Sequence, residues 1–241
     1  MSSDTATFFN KNVNFYSKLS PQYFDYYFLN SIKTLQDQNL NLLDIGGGSG
    51  TFVKLIANHC PNISLTVLDP SEKMLSQIDD TRINTVKGKI PDQVDQVLLD
   101  SKFHLIHVKE VFHHVTGSSI RSSKELLRES LCTIKEYLTD DGLVLIHELF
   151  YESYLIPTLS RNLIFYSLAL QSKLRIKIPA RQFLMDLRVC FYTRSEFRSM
   201  LGECGFEIVD YYEANWANDI NKKILFLKNW GVMLFIVKKL S

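Results

Sequence analysis

The sequence has no long hydrophobic run, no excess of one charge and no clustered cysteines, and each absence removes a class of function. A membrane-spanning helix needs roughly 20 consecutive apolar residues. Residues 163–170 are too short for that, and residues 224–237 are interrupted by Lys228 and Asn229. They are expected to form a buried helix and a buried strand, the first within reach of a lipid-like substrate. The 27 basic and 26 acidic residues are interspersed, for a net charge of +1, so the one-signed footprint of a nucleic-acid binder is missing. Cys60, Cys132, Cys190 and Cys204 lie far apart without a CxxC pair, and the histidines are not grouped. Neither a zinc or other metal site nor a disulfide framework is expected. Residues 1–10 lack the basic start and apolar core of a signal peptide, so the expected location is cytoplasmic with reduced thiols. Glycine is scarce as well, ten in 241 residues, which makes Gly46, Gly47, Gly48 and Gly50 conspicuous.

The length allows one α/β core with a modest insertion. Residues 7–35 carry Phe8, Phe9, Phe15, Tyr16, Tyr23, Phe24, Tyr27 and Phe28 at mixed three- and four-residue spacings, which predicts a helical cap over residues 1–40. Short apolar runs then alternate with amphipathic segments. Strands are predicted at 41–45, 64–68, 84–86, 103–108 and 142–148, and helices at 50–59, 71–78 and 122–138. This order predicts a mostly parallel sheet with helices on both faces and ligands at the carboxyl ends of the strands, in a core spanning 41–149. Residues 150–192 break the alternation and read as an insertion. The core resumes over 193–241, where Thr193-Arg194-Ser195-Glu196 is a capping box and Gly205 ends the helix. Strands at 206–212 and 230–237 are expected to form an antiparallel pair at one sheet edge. No internal repeat or low-complexity linker is present.

Asp44-Ile45-Gly46-Gly47-Gly48-Ser49-Gly50 joins the end of a buried strand to the start of a helix. Glycines let the backbone approach a ligand where a Cβ would collide, and the helix N-terminus favours an anionic or polar group. A dinucleotide site would need G-x-G-x-x-G, but from Gly46 the third position is Thr51 and from Gly48 it is Val53. The pattern is D-x-G-x-G-x-G. In this motif and in the order of segments from 41 to 237, the chain resembles the class I S-adenosylmethionine-dependent methyltransferases. The resemblance implies a Rossmann-like, seven-stranded, mostly parallel sheet with an antiparallel edge strand. It also implies S-adenosylmethionine as cofactor, with S-adenosylhomocysteine as product.

Asp44, Gly46, Gly48 and Gly50 then hold the methionine end of the cofactor, and Asp69-Pro70, ending the second strand, meets its ribose. A carboxylate suits a vicinal diol because it accepts two hydrogen bonds; the alternative for Asp69 is a helix cap. The resemblance also places Lys89 and Val108 at the cofactor. Lys89 stands where the family often has an acid beside adenine, which leaves adenine to backbone groups or to Asp92. His104 replaces the acid that usually opens the fourth motif.

Methyl transfer needs an aligned acceptor and, where the acceptor carries a proton, a base. His113 and His114 follow the fourth strand, and an imidazole suits this task at neutral pH. Each also has a packing role open to it. The fifth strand ends in His147-Glu148, whose side chains alternate across the sheet. The resemblance favours Glu148 as a substrate contact or as the orienter of a histidine, against a solvated strand-end carboxylate.

The segment 150–192 occupies the place of a substrate lid. Tyr151, Tyr154, Phe165 and Tyr166, mixed with Arg161, Lys173, Arg175, Lys177, Arg181 and Arg188, point to a small substrate with an aromatic or apolar body and an anionic group. The expected activity is methyl transfer to an oxygen or nitrogen of a small metabolite by a monomer or homodimer. A catalytically silent cofactor-binding scaffold and a nicotinamide-dependent oxidoreductase are the alternatives.

Overall fold

The computed structural model describes residues 5–35, 39–92, 101–174, 187–216 and 226–240. Three helices come first: α1 (Thr5–Lys11), α2 (Val13–Tyr16) and α3 (Tyr23–Lys33). β1 (Asn41–Ile45), α4 (Thr51–His59), β2 (Ser64–Asp69), α5 (Glu72–Leu75), β3 (Ile83–Lys87) and β4 (Phe103–Lys109) follow. After a short 3-10 turn, Phe112–His114, come α6 (Ile120–Tyr137), β5 (Leu138–Ser153), α7 (Leu159–Leu174), α8 (Arg194–Glu203), β6 (Phe206–Asn215) and β7 (Leu227–Lys239).

The seven strands form one sheet in the order β3-β2-β1-β4-β5-β7-β6. The first five are parallel, while β7 runs antiparallel to both β5 and β6. β7 therefore lies inside the sheet and β6 forms its edge. The chain order reverses between β1 and β4, and a doubly wound sheet opens a ligand crevice at such a switch point.

Strand periodicity divides the core into two layers. Leu43, Ile45, Ile106, Val108, Val144 and Ile146 pack with Leu127, Leu131 and Ile134 of α6 and Phe197, Met200 and Leu201 of α8. The four- and three-residue spacing of the α6 apolar residues makes one helical stripe. On the other face, Leu42, Leu65, Val67, Leu105 and Leu145 pack with Phe28, Leu29 and Ile32 of α3 and with Phe52, Val53 and Ile56 of α4.

Three elements depart from the sequence expectation. α5 is a single turn because its hydrogen bonds change span: Leu75 and Ser76 donate four residues back, whereas Gln77 and Ile78 donate three back. β5 continues past Glu148 to Ser153 because β7 pairs with it along 143–153, so a long antiparallel partner overrides the fading alternation. α7 is not wholly buried: Ile164 and Phe165 face the core, while Leu163, Tyr166 and Leu170 are exposed. Ile224, at the start of the other apolar run, lies outside the described residues; Leu227–Lys239 is the buried strand β7.

The capping box at α8 forms as expected. Thr193 Oγ1 accepts from Glu196 N at 3.2 Å, and Thr193 N donates to Glu196 Oε2 at 3.1 Å. Glu196 also receives Lys124 at 2.7 Å and Arg161 at 2.8 Å, so one carboxylate ties α6, α7 and α8 together. Gly205 ends the helix at φ +76°. Losing an N-cap hydroxyl costs about 1 kcal/mol. Thr193→Ala is accordingly expected to lower unfolding free energy by about 1 kcal/mol, read as a shifted denaturant midpoint at unchanged slope.

Candidate active site

The turn after β1 is shaped around its neighbours. Gly46 is at φ +70°, and a Cβ there would run into the Val111 side chain. At Gly47 a Cβ would collide with the Asp44 carboxylate. Gly46 N donates to Leu68 O at 2.7 Å, and Gly48 N donates to Asp69 Oδ2 at 3.0 Å, so the turn hangs on the end of β2. Gly50 is the left-handed N-cap residue of α4. Asp69 Oδ1 accepts from Ser71 N at 2.7 Å. Burial pushes the Asp69 carboxyl up to about 6, against the pull of the Ser71 and Gly48 N–H donors.

A cleft of about 750 Å³ opens over the ends of β1, β2 and β3, within the range of roughly 300–1,000 Å³ usual for small-molecule sites. Ile45, Gly46, Leu68 and Pro70 line its base, residues 87–92 one wall, and Val111 and residues 114–116 the other. Thr5, Thr7 and Asn10 of α1 close it from above. Asp44 is 2% exposed. Its Oδ1 accepts from His107 Nδ1 at 2.7 Å, while Oδ2 is buried without a hydrogen-bond partner. The His107 ring is stacked on Phe52, with centroids 3.7 Å apart.

Beyond β4, the turn Phe112–His114 is organised by Glu148, which is fully buried. Glu148 Oε2 accepts from Phe112 N at 2.8 Å and His113 N at 3.3 Å. Its Oε1 accepts from His113 Nδ1 at 2.6 Å and Leu149 N at 2.7 Å. Burial disfavours a charged His113 ring, but the Glu148 carboxylate outweighs it and raises the pKa above the ordinary value. His114 differs: burial, and then the neighbouring His113, hold its pKa well down, and its Nδ1 is buried without a partner. Phe191 stacks on the His113 ring at 5.2 Å and on Tyr151 at 4.2 Å, while Phe9 of α1 meets His114 edge-on at 5.6 Å.

The sequence profile of the methyltransferase-domain family matches residues 18–211. The chain belongs to that family. It carries a methyltransferase domain, and its D-x-G-x-G-x-G turn is the motif in which the sequence resembles the S-adenosylmethionine-dependent class. The methyltransferase is 36% identical over 67 residues to the cephaeline 6'-O-methyltransferase of Carapichea ipecacuanha, an alignment that covers 27% of this chain and 19% of that one. Among solved structures it is similar to the CcbJ methyltransferase of Streptomyces caelestis, at TM-score 0.65 and 11% identity over 99% of this chain and 100% of that chain. An S-adenosylmethionine-dependent methyltransferase of Clostridium acetobutylicum follows at TM-score 0.60 and 14% identity, covering 97% and 99%.

The cofactor fits the residues present: Asp44 keeps an orphaned buried acceptor, and Ile45, Gly46, Leu68 and Pro70, the chain neighbours of Asp44 and Asp69, line a cleft of suitable size. Pro70 and Lys89 line that cleft, the Lys89 ammonium lying 3.9 Å from Asp92 Oδ2. Val108 does not reach it. Its register opposite Ile45 and Ile146 puts its side chain in the core, while the Val111 side chain lies against Gly46 and lines the cleft. Glu148 is not a solvated strand end but the orienter of His113. Arg161 donates to Glu196 at 2.8 Å and Arg188 to Gly117 O at 3.2 Å, so each is tied to a group of the protein itself. Arg175, Lys177 and Arg181 lie outside the described residues, as does the Lys173 side chain.

Sequence reading missed Asn10, His107 and Glu110. His107 left a trace, an imidazole interrupting an apolar strand at even spacing from Lys109. Asn10 accepts from Ser71 Oγ at 2.7 Å, 61 residues away, which no local pattern announces. In the methyltransferase, Glu148→Gln removes the main charge that favours His113 imidazolium and leaves burial opposed only by the weaker pull of Glu110, so the His113 pKa should drop. Histidine-ring NMR titration of both proteins reads this directly; an unmoved pKa contradicts the pairing.

Proposed function

We propose that this methyltransferase transfers the methyl group to the hydroxyl oxygen of a small molecule, with His113 as general base and Glu148 as its orienter. The observation that carries the reading is the buried 2.6 Å bond from His113 Nδ1 to Glu148. With Nδ1–H committed to that carboxylate, the neutral ring has its basic lone pair on Nε2. Nε2 takes the hydroxyl proton as the oxygen attacks, and Glu148 stabilises the resulting imidazolium. The bound cofactor supplies an electrophilic methyl group on a sulfonium.

His114 is the weaker base, because burial and His113 depress its basicity. It serves better as a wall of the cleft, against Phe9. Asp44 and the glycine turn hold the methionine end of the cofactor, Asp69 its ribose hydroxyls, and Pro70 and the 87–92 loop its adenine end. Asp92 and Lys89 neutralise one another at that rim. The cap and the insertion border the acceptor through their described residues, a reading supported by Phe9 on His114 and Phe191 on His113. The similarity to an O-methyltransferase agrees with an oxygen acceptor, although the aligned segment spans only about a fifth of that relative.

Two sets of measurements test this reading. A general base contributes about 10²–10⁴-fold to rate. His113→Ala should lower kcat by that order while S-adenosylhomocysteine affinity stays within about twofold. The activity of the wild type should rise with pH through an apparent pKa above about 6.5, since only unprotonated His113 accepts the proton. Labelled methyl transfer across a panel of phenols, aliphatic alcohols and primary amines identifies the acceptor atom, and turnover confined to amines would overturn the oxygen assignment.

The second set concerns Asp69. Its carboxylate form accepts ribose hydroxyls best, and its pKa lies at about 6. Calorimetric affinity for S-adenosylhomocysteine should therefore weaken as pH falls through about 6. Asp69→Asn should bind more weakly at pH 8 and lose this dependence, whereas a pH dependence identical to that of wild type would remove Asp69 from the site.

A further inference from the structure

Glu110 follows β4 directly and has φ +54°, a left-handed backbone that a non-glycine residue adopts only when its surroundings hold it there. Its N–H donates to His147 O at 2.7 Å, which pins the residue to the end of β5. The carboxylate has no cation of its own among the described residues. Lys109, next in the chain, gives its ammonium to both oxygens of Asp25 at 2.9 Å each. His147 is the nearest ring, with Nε2 at 3.8 Å from Glu110 Oε1, beyond hydrogen-bond length. Burial and Lys109 keep that ring from charging.

A second observation points to missing partners. His147 is 1% exposed, and both of its ring nitrogens, one an N–H donor and one an acceptor in the neutral ring, are buried without a hydrogen-bond partner. Such orphaned groups are costly and mark places where a partner from elsewhere belongs. The Glu110 side chain, by contrast, keeps 42% of its surface accessible, so a ligand can reach it. Tyr16 of the cap lies in the field of Glu110, and Phe24 packs edge-on against His147 at 5.4 Å. A carboxylate without a cation partner favours one. Glu110 also lies close enough to His113 for the two charges to interact, which puts the place beside the proposed base.

We infer that Glu110 is the seat of a primary ammonium group on the acceptor molecule, so that the substrate is an amine-bearing hydroxyl compound and not an anionic one. The inference rests on the acceptor site proposed above. An ammonium has three N–H donors: the carboxylate takes at least one and balances the charge, and the neutral His147 ring lies beside it with unused acceptor capacity. The acceptor hydroxyl is then held toward His113 from its other end, which is how remote binding orients a reacting group.

The test uses the full chain saturated with S-adenosylhomocysteine and three para-substituted phenols as probes: tyramine, p-cresol and 4-hydroxyphenylacetate. Calorimetry should find tyramine bound at least tenfold more tightly than p-cresol, with 4-hydroxyphenylacetate weakest. Glu110→Gln should erase the preference for tyramine and leave p-cresol unchanged, while the charge-retaining Glu110→Asp keeps most of it. Equal binding of tyramine and p-cresol by the wild type, or binding of neither, overturns the inference. So does a Glu110→Gln protein that keeps the preference and loses affinity for S-adenosylhomocysteine, since the carboxylate then serves the cofactor. The saturating titration separates this failure from that of the site itself: a wild type that does not bind S-adenosylhomocysteine contradicts the cofactor site directly. Unchanged S-adenosylhomocysteine affinity in Glu110→Gln verifies that the variant is folded.

Discussion

Four N–H donors converge on the buried Glu148 carboxylate, and the acceptor side of the site depends on that convergence. Taking a carboxylate out of water costs several kcal/mol, whereas hydrogen bonds to a charged group contribute about 1.5–3 kcal/mol each. Only a nearly complete set of donors makes such burial tolerable. Three of the four come from the turn Phe112–His114, so the turn cannot move without stranding the charge. The same set orients the His113 ring and raises its pKa. His113 O accepts from Cys190 N at 2.8 Å, which carries the constraint on to the segment that stacks Phe191 against the ring.

The sheet separates the polar groups by face. Asp44, His107, Lys109 and His147 share the α3 and α4 side, where period-two alternation puts them in line with Leu42, Leu105 and Leu145. Glu148 and His113 lie on the α6 and α8 side. Each buried charge has its own partner: His107 for Asp44, Lys109 for Asp25 and the 112–114 turn for Glu148. The pairing keeps Lys109 off Glu110, although the two are adjacent in the chain. Glu110 thus stands beside the proposed base without a paired cation among the described residues, its carboxyl pKa raised by burial, while the charges around it are matched, and this asymmetry gives the acceptor region its character.

Much of this architecture was legible in the sequence because it repeats locally. Strand and helix alternation, the glycine turn, the Thr193 capping box and Gly205 each depend on a few adjacent residues, and the structure shows them where the pattern put them. What was hidden depends on pairing across long separations. The extension of β5 to Ser153 needs β7 as its partner. His107 reads as an odd residue in an apolar strand until β1 brings Asp44 beside it, 63 residues away. The direction of the Val108 side chain was hidden too, because a motif position gives no side-chain direction and the strand register sends it into the core. The positive φ of Glu110 has no sequence signature, for glutamate is not a residue that usually marks a left-handed turn.

The N-terminal cap shows how far local pattern and tertiary order can differ. α1 has seven residues, well below the roughly 12–15 at which an isolated helix becomes marginal in water. Its order must come from what it touches. Asn10 accepts from Ser71 Oγ at the end of β2 and from Lys73 N at the start of α5, while Phe9 packs on His114 and Tyr16. One face of this short helix therefore joins the rim proposed for the cofactor to the histidine turn proposed for the acceptor. Ser71 is fully buried and is itself the N-cap of α5, so the contact to Asn10 rests on a rigid base. The aromatic density at the N-terminus, which the sequence offers only as a helical tendency, is what lets so short an element close a cleft of about 750 Å³.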